Sequence, residues 1–168
     1  MANATTPLTT MRAEFSGEMK QFIVKNSTAV YVGRYAALDA SAGVTTGYVT
    51  NPADTAGVVM LGFIVAPGEG GWLDGGGQST TITGNTSATV PPRVMVDVGG
   101  GVVSRIAVTG ASTQAHVGRK VYLSTNNITD LTLTPTTNIP AVGVIEEFYS
   151  ATSFDVRFFS MMEMAGEV

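Results

Sequence analysis

His116 is the only histidine of the chain, and it lies in the stretch GASTQAHVGRK (residues 110–120) with Ser112 and Thr113 just ahead of it. A hydroxyl becomes a nucleophile when an imidazole takes its proton and a carboxylate orients that imidazole. No Gly-x-Ser-x-Gly elbow is present, and no acidic residue close in sequence is placed to orient the ring. His116 is therefore expected to be a loop histidine ahead of a strand, and no catalytic residue is expected. One histidine and no cysteine also exclude the usual zinc ligand sets.

The loop APGEGGWLDGGGQ (residues 66–78) holds six glycines and Trp72, the only tryptophan. A phosphate-binding loop would continue into Lys, Ser or Thr and a helix, whereas Gln78 and a Thr-rich strand follow here. Glu69 and Asp74 offer oxygens for calcium but lack the ligand density of a calcium loop. Trp72 reads either as an anchor buried against another subunit or as a residue packed on its own domain. Glu146 and Glu147 are adjacent, so on a strand they point to opposite faces. They read as strand-end charges that deter edge pairing, since a glycosidase pair must face itself across a cleft. No cofactor or metal is expected.

These groups sit on a thinly charged, β-rich background. Hydrophobic residues make up 44% of the 168 residues and charged residues 13%, well below the usual quarter. The formal net charge is -4 and the nine basic residues are scattered, which argues against binding a phosphate backbone. No run approaches the length that crosses a bilayer, and 1–15 lacks a basic and apolar leader pattern, so neither nucleic acid nor membrane is an expected partner. Without a leader, the sequons at Asn3, Asn26, Asn85 and Asn127 read as turn chemistry.

Residues 1–20 read as an extended N-terminal arm, flexible or ordered only against a partner. From there the pattern becomes short apolar runs punctuated by Gly, Pro, Asn and Asp, which predicts an all-β fold of antiparallel strands, a barrel or sandwich over 21–160. Predicted strands cover 22–24, 29–32, 35–38, 46–49, 58–65, 80–83, 87–90, 93–98, 102–108, 120–123, 131–133, 141–147 and 153–159. Residues 99–101, all glycine, predict a tight hairpin between the strands on either side. In the last strand Phe159 falls on the polar face, at a contact. The tail 161–168 carries Met161, Met162 and Met164, equally suited to contact surface or core.

The chain also says one thing twice. VGRYAALDASAGVT at 32–45 is echoed by VGRKVYLSTNNIT at 117–129, and VVMLGFIV at 58–65 by IPAVGVIEEF at 139–148. Such a pseudo-repeat predicts two similar β units paired about a pseudo-twofold axis, each covering the other's apolar face and neither stable alone. Gly33 and Gly118 would launch the next strand from a turn. Arg34 and Arg119 read as surface residues or as ties to a neighbouring loop.

The block from Arg93 to Ser160 resembles tailed-phage capsid decoration, or cement, proteins. The resemblance rests on a hairpin around the glycines at 99–101, Gly118 with Val121 and Tyr122, a Thr-rich segment at 129–134, residues 143–145, and Val156 to Phe158; 30–66 follow it more loosely. It implies a compact barrel-like or tulip-shaped domain on the capsid exterior, made in the host cytoplasm. It also implies a homotrimer that holds neighbouring major capsid protein subunits together, with no enzyme activity. Pro7, Leu8, Met11 and Phe15 of the arm, Trp72 and Phe159 are the residues expected at capsid or subunit contacts. Two readings compete: a head-fibre base or tail-associated structural protein, and a carbohydrate-active β enzyme built around Trp72, Glu69 and Asp74.

Overall fold

A computed structural model describes residues 13–15, 17–41, 43–69, 80–125 and 130–166. The strands among them run in chain order as β1 (Ala13–Phe15), β2 (Met19–Ile23), β3 (Ala29–Tyr31), β4 (Tyr35–Ser41), β5 (Val44–Thr50), β6 (Val59–Pro67) and β7 (Thr81–Thr83). The second half continues with β8 (Arg93–Asp97), β9 (Gly101–Ile106), β10 (Val108–Thr109), β11 (Lys120–Leu123), β12 (Leu131–Thr132), β13 (Gly143–Ser150) and β14 (Ser153–Phe158), and a short helix, α1 (Met161–Ala165), follows. The fold is all-β, as the alternating apolar runs predict.

The strands form two small barrels of one design. In the first, the sheet β2-β8-β6-β4-β5 is antiparallel throughout and curls until Val24, just past β2, makes a parallel bridge with Val49 of β5. In the second, β9-β14-β13-β11-β12 repeats that order and closes through β10, which runs parallel to β12 with Val108 opposite Leu131. The paired strands β3 and β7 add Val30 and Ile82 to the interior of the first barrel.

The sequence echo is carried down to single hydrogen bonds. Gly33 (φ 80°) donates its N–H to the Ile64 carbonyl at 2.7 Å, and Ile64 donates to the Arg34 carbonyl at 3.0 Å. Gly118 (φ 84°) donates to Ile145 at 2.8 Å, and Ile145 to Arg119 at 3.0 Å. Both turns need the left-handed region that glycine enters without a Cβ clash. Further along, a Cβ on Gly62 would collide with the backbone carbonyl oxygen of Asp97, and one on Gly143 with that of Arg157. The two glycines let one strand pass close to the next at equivalent points.

The contact between the barrels is head-to-tail, not twofold. Tyr35 and Phe63, on adjacent strands of the first barrel, pack edge-on at 4.6 Å between ring centroids, and Phe63 meets Phe158 of the second barrel edge-on at 5.0 Å. Lys120, which takes the place of Tyr35 in the second barrel, is exposed instead. The Tyr35 hydroxyl donates to the sulfur of buried Met164 at 3.0 Å, so α1 seals the junction. Ser160 caps that helix by accepting from the Glu163 N–H while the Glu163 carboxylate accepts from the Ser160 N–H at 2.7 Å.

Several expectations are corrected. Residues 99–101 are not a hairpin turn: β8 and β9 belong to different barrels, and the glycines link them. Buried Asp97 organises this linker by accepting the Gly99 and Gly17 N–H groups, each at 3.0 Å. Residues 87–90 form turns, with Asn85 accepting the Ser87 N–H. Part of the stretch expected as an arm, 1–20, is sheet instead: β1 pairs with β9, and β2 pairs with β8 from Met19 onward, while 1–12 lie outside the described residues. Phe159 is buried in the shared core, since its N–H bonds the Val142 carbonyl beyond the end of β14 and the strand's alternation stops there. Of the tail methionines, Met164 is core and Met162 is exposed.

Replacing Gly62 or Gly143 by Ala should each cost more than about 2 kcal/mol, because the obstructing atom is backbone. Gly118→Ala meets nothing within 4 Å and should cost only the left-handed penalty of about 1–2 kcal/mol. Urea denaturation of the three variants checks the order.

Candidate interaction surface

The catalytic candidates resolve into structural roles. The Nδ1 of His116 accepts from the Ser112 and Thr113 N–H groups, each at 3.3 Å, so the ring caps its own 3₁₀ turn (Gln114–His116). No carboxylate among the described residues is hydrogen-bonded to the ring to make a triad. Among the described residues no group of three or more His, Cys, Asp or Glu side chains is placed to hold a metal. Glu69 lies 3.9 Å from Arg93, and its backbone carbonyl accepts the Arg93 N–H; Asp74 lies outside the described residues.

Glu146 and Glu147 are not at a strand end. They sit inside β13, where a bulge interrupts the register between Ile145 and Glu147, and β13 is flanked by β11 and β14. Glu146 lies 3.5 Å from Arg157, while Glu147 and Asp155 both accept from the Tyr149 hydroxyl, at 2.8 and 2.9 Å. Those two bonds, with Glu147 the larger cause, push the Tyr149 phenol up to about 12. The Arg105 guanidinium lies 3.5 Å from the Tyr149 ring centroid, and its backbone N–H donates to Asp155. The cluster is a surface network of strand-crossing contacts.

The repeated arginines part company. Arg119 is exposed, as a surface residue would be, but Arg34 is buried at the junction. Burial pulls the Arg34 guanidinium below its ordinary pKa and the charge of Asp130 works against that shift. Identical motifs have different surroundings because only the first barrel has the second packed on this side.

Of the expected contact residues, Pro7, Leu8, Met11 and Trp72 lie outside the described residues. Phe15 is placed by its backbone, opposite Gly101 in the β1–β9 ladder, and Phe159 is core. The structure describes only Phe15 and Phe159 of these six. It offers instead a groove of about 430 Å³ where the barrels meet, lined by Val58 from the first and by Lys120, Tyr122, Pro135, Ile139 and Pro140 from the second. Asp54 pins one side by accepting both the backbone N–H of Asn138, at 2.7 Å, and its side-chain amide, at 3.0 Å. No spacing in the sequence marks this groove, because its two walls come from segments about eighty residues apart.

No helix among the described residues is long and apolar enough to cross a membrane. No protein-family model matches the chain, and no curated protein or solved structure matches it either. The fold and the surfaces therefore carry the functional reading.

The Asp54 carboxyl is held below its ordinary pKa, chiefly by the Asn138 backbone N–H, and the Glu163 carboxyl likewise, chiefly by that of Ser160. A depressed carboxyl stabilises the fold above its unfolded pKa, about 4, and loses that contribution as pH falls through its folded value. Urea midpoints should thus decline below about pH 4, and Asp54→Asn should flatten the decline.

Proposed function

We propose that this protein is a structural component of a tailed-phage virion, a decoration protein that binds the outside of the capsid and stabilises contacts between major capsid protein subunits. The observation that carries the reading is where the family resemblance falls. Val121 and Tyr122 lie on β11, residues 143–145 on β13 and Val156 to Phe158 on β14, three adjacent strands of one closed barrel. These residues share one barrel, while Arg93 to Asp97, at the start of the resembling block, lie on β8 of the first barrel.

The architecture suits such work. Two barrels fused through a buried aromatic junction resist bending, and a cement must transmit load between the subunits it bridges. Repetition around a symmetric shell multiplies a modest contact energy, so a groove of this size is sufficient for one copy's share. The groove at the barrel junction, with Lys120 exposed and Tyr122 half-buried in its wall, is the surface we assign to capsid contact. A threefold assembly of the chain and a place on the virion exterior belong to the same proposal.

Co-sedimentation with expanded, undecorated heads tests it. The full chain should bind saturably, and Lys120→Ala, at an exposed groove position, should weaken binding several-fold while changing stability in urea by less than about 1 kcal/mol. Removing residues 1–12 leaves β1 in place and reports separately on the N-terminal segment. Absence of saturable binding by the full chain overturns the proposal.

A further inference from the structure

We propose that residues 134–138 of the second barrel form a strap along the groove at the barrel junction, closed by one latch, Asp54 of the first barrel, and that release of this latch opens the groove. The strap is a property of the chain alone and does not depend on capsid binding.

Two equivalent connections differ in how they are held. Residues 51–58 join β5 to β6, and residues 133–142 join β12 to β13, the strands in the same places of the second barrel. The first connection is braced. Its Thr55 N–H donates to the Ala53 carbonyl at 2.8 Å, its Val58 N–H to the Thr55 carbonyl at 3.1 Å, and the Asn51 side-chain amide to the Ala29 carbonyl at 3.0 Å. The second has no such brace: among the described residues, 134–141 make no backbone–backbone hydrogen bond. Pro135 and Pro140 have no N–H to offer one.

The root of the strap is firm and its tip is not. Ile139 and Ala141 are buried in the shared core, at 2% and 3% exposure, whereas Thr134, Pro135 and Thr137 are exposed. Two hydrogen bonds are local: the Thr136 hydroxyl donates to the Ile139 carbonyl at 3.3 Å, and the Thr132 hydroxyl accepts the Thr134 N–H at 3.1 Å. The tie to the other barrel is made at Asn138, whose backbone N–H and side-chain amide both donate to Oδ1 of Asp54, at 2.7 and 3.0 Å. A segment with an exposed tip and few backbone bonds opens at lower free energy than a ladder does. Bonds to a carboxylate are of the stronger kind, so Asp54 governs that opening.

The two connections are opposite walls of one groove. Ala56, Gly57 and Val58 line it from the braced side, and residues 135–141 from the unbraced side. The fixed wall carries the acceptor and the movable wall carries the donors. Opening therefore changes the width of the groove without breaking a strand pairing.

The absence of cysteine makes the test direct. Val58, 8% exposed on the fixed wall, becomes a single thiol in Val58→Cys, and its rate of labelling by a maleimide under native conditions reports opening. Adding Asp54→Ala should raise that rate about ten-fold, the effect of losing hydrogen bonds to a charged acceptor. Asn138→Ala keeps the backbone bond and should raise it less, and Asp54→Asn keeps an acceptor oxygen in place and should leave it near the parent rate. Val156→Cys, inside the second barrel, measures global unfolding and should not respond to Asp54→Ala. On the cysteine-free chain, hydrogen exchange read by mass spectrometry should quicken over 134–142 with Asp54→Ala and stay unchanged in β13 and β14. Labelling and exchange both indifferent to Asp54→Ala overturn the latch. A rise matched at Val156→Cys, or spread through β13 and β14, is global unfolding and overturns the strap.

Discussion

The packing of Phe158 against Tyr35 and Phe63 is the interaction on which the rest of this structure depends. Each barrel alone is a small curled sheet closed by a short parallel contact, Val24 with Val49 in the first and β10 with β12 in the second. The aromatic cluster joins the core of the second barrel to the outer face of the first, so one continuous apolar cluster runs from Tyr35 and Met60 to Leu131 and Phe154. Edge-on aromatic contacts contribute about 0.5–1.5 kcal/mol each beyond the area they bury. They also fix an angle, because the rings interlock. Asp97 and the glycines at 99–101 set the path between barrels, and α1 folds back to cover what the linker leaves open.

Duplication explains both the economy and the asymmetry of the molecule. The same strand order, the same pair of hydrogen bonds at the Val-Gly-Arg turn and the same backbone crowding at Gly62 and Gly143 recur in both halves. Yet a head-to-tail contact uses different faces of two like units, so equivalent positions meet different surroundings. Arg34 is buried where Arg119 is exposed, and Tyr35 is core where Lys120 faces a groove.

A role as a structural part agrees with how the polar groups are spent. Glu146, Glu147, Asp155, Arg105, Arg157 and Tyr149 are tied to one another across β9, β13 and β14, and His116 is tied to its own turn. The groove brings an aromatic ring, a lysine and two prolines to one place, which suits contact with another chain.

Much of this was determined by the sequence alone. Alternation of apolar and polar residues with Gly, Pro, Asn and Asp between the runs is a local signal, so the all-β class and most strands were legible, 120–123 to the residue. The echoed Val-Gly-Arg motif disclosed the duplication, because a turn with a positive φ demands glycine wherever it recurs. Tertiary structure decided the partners. Glycines at 99–101 look the same in a hairpin as in a linker, and the difference is which sheet β9 joins through contacts with β1 and β14. Phe159 left its predicted face because the strand ends at Phe158, where the first barrel begins to cover the chain. The residues 13–15 joined a ladder that their short, unperiodic stretch does not announce. Pairing of strands far apart in the chain depends on the summed burial and hydrogen bonding of both segments, and no local window of sequence contains that sum.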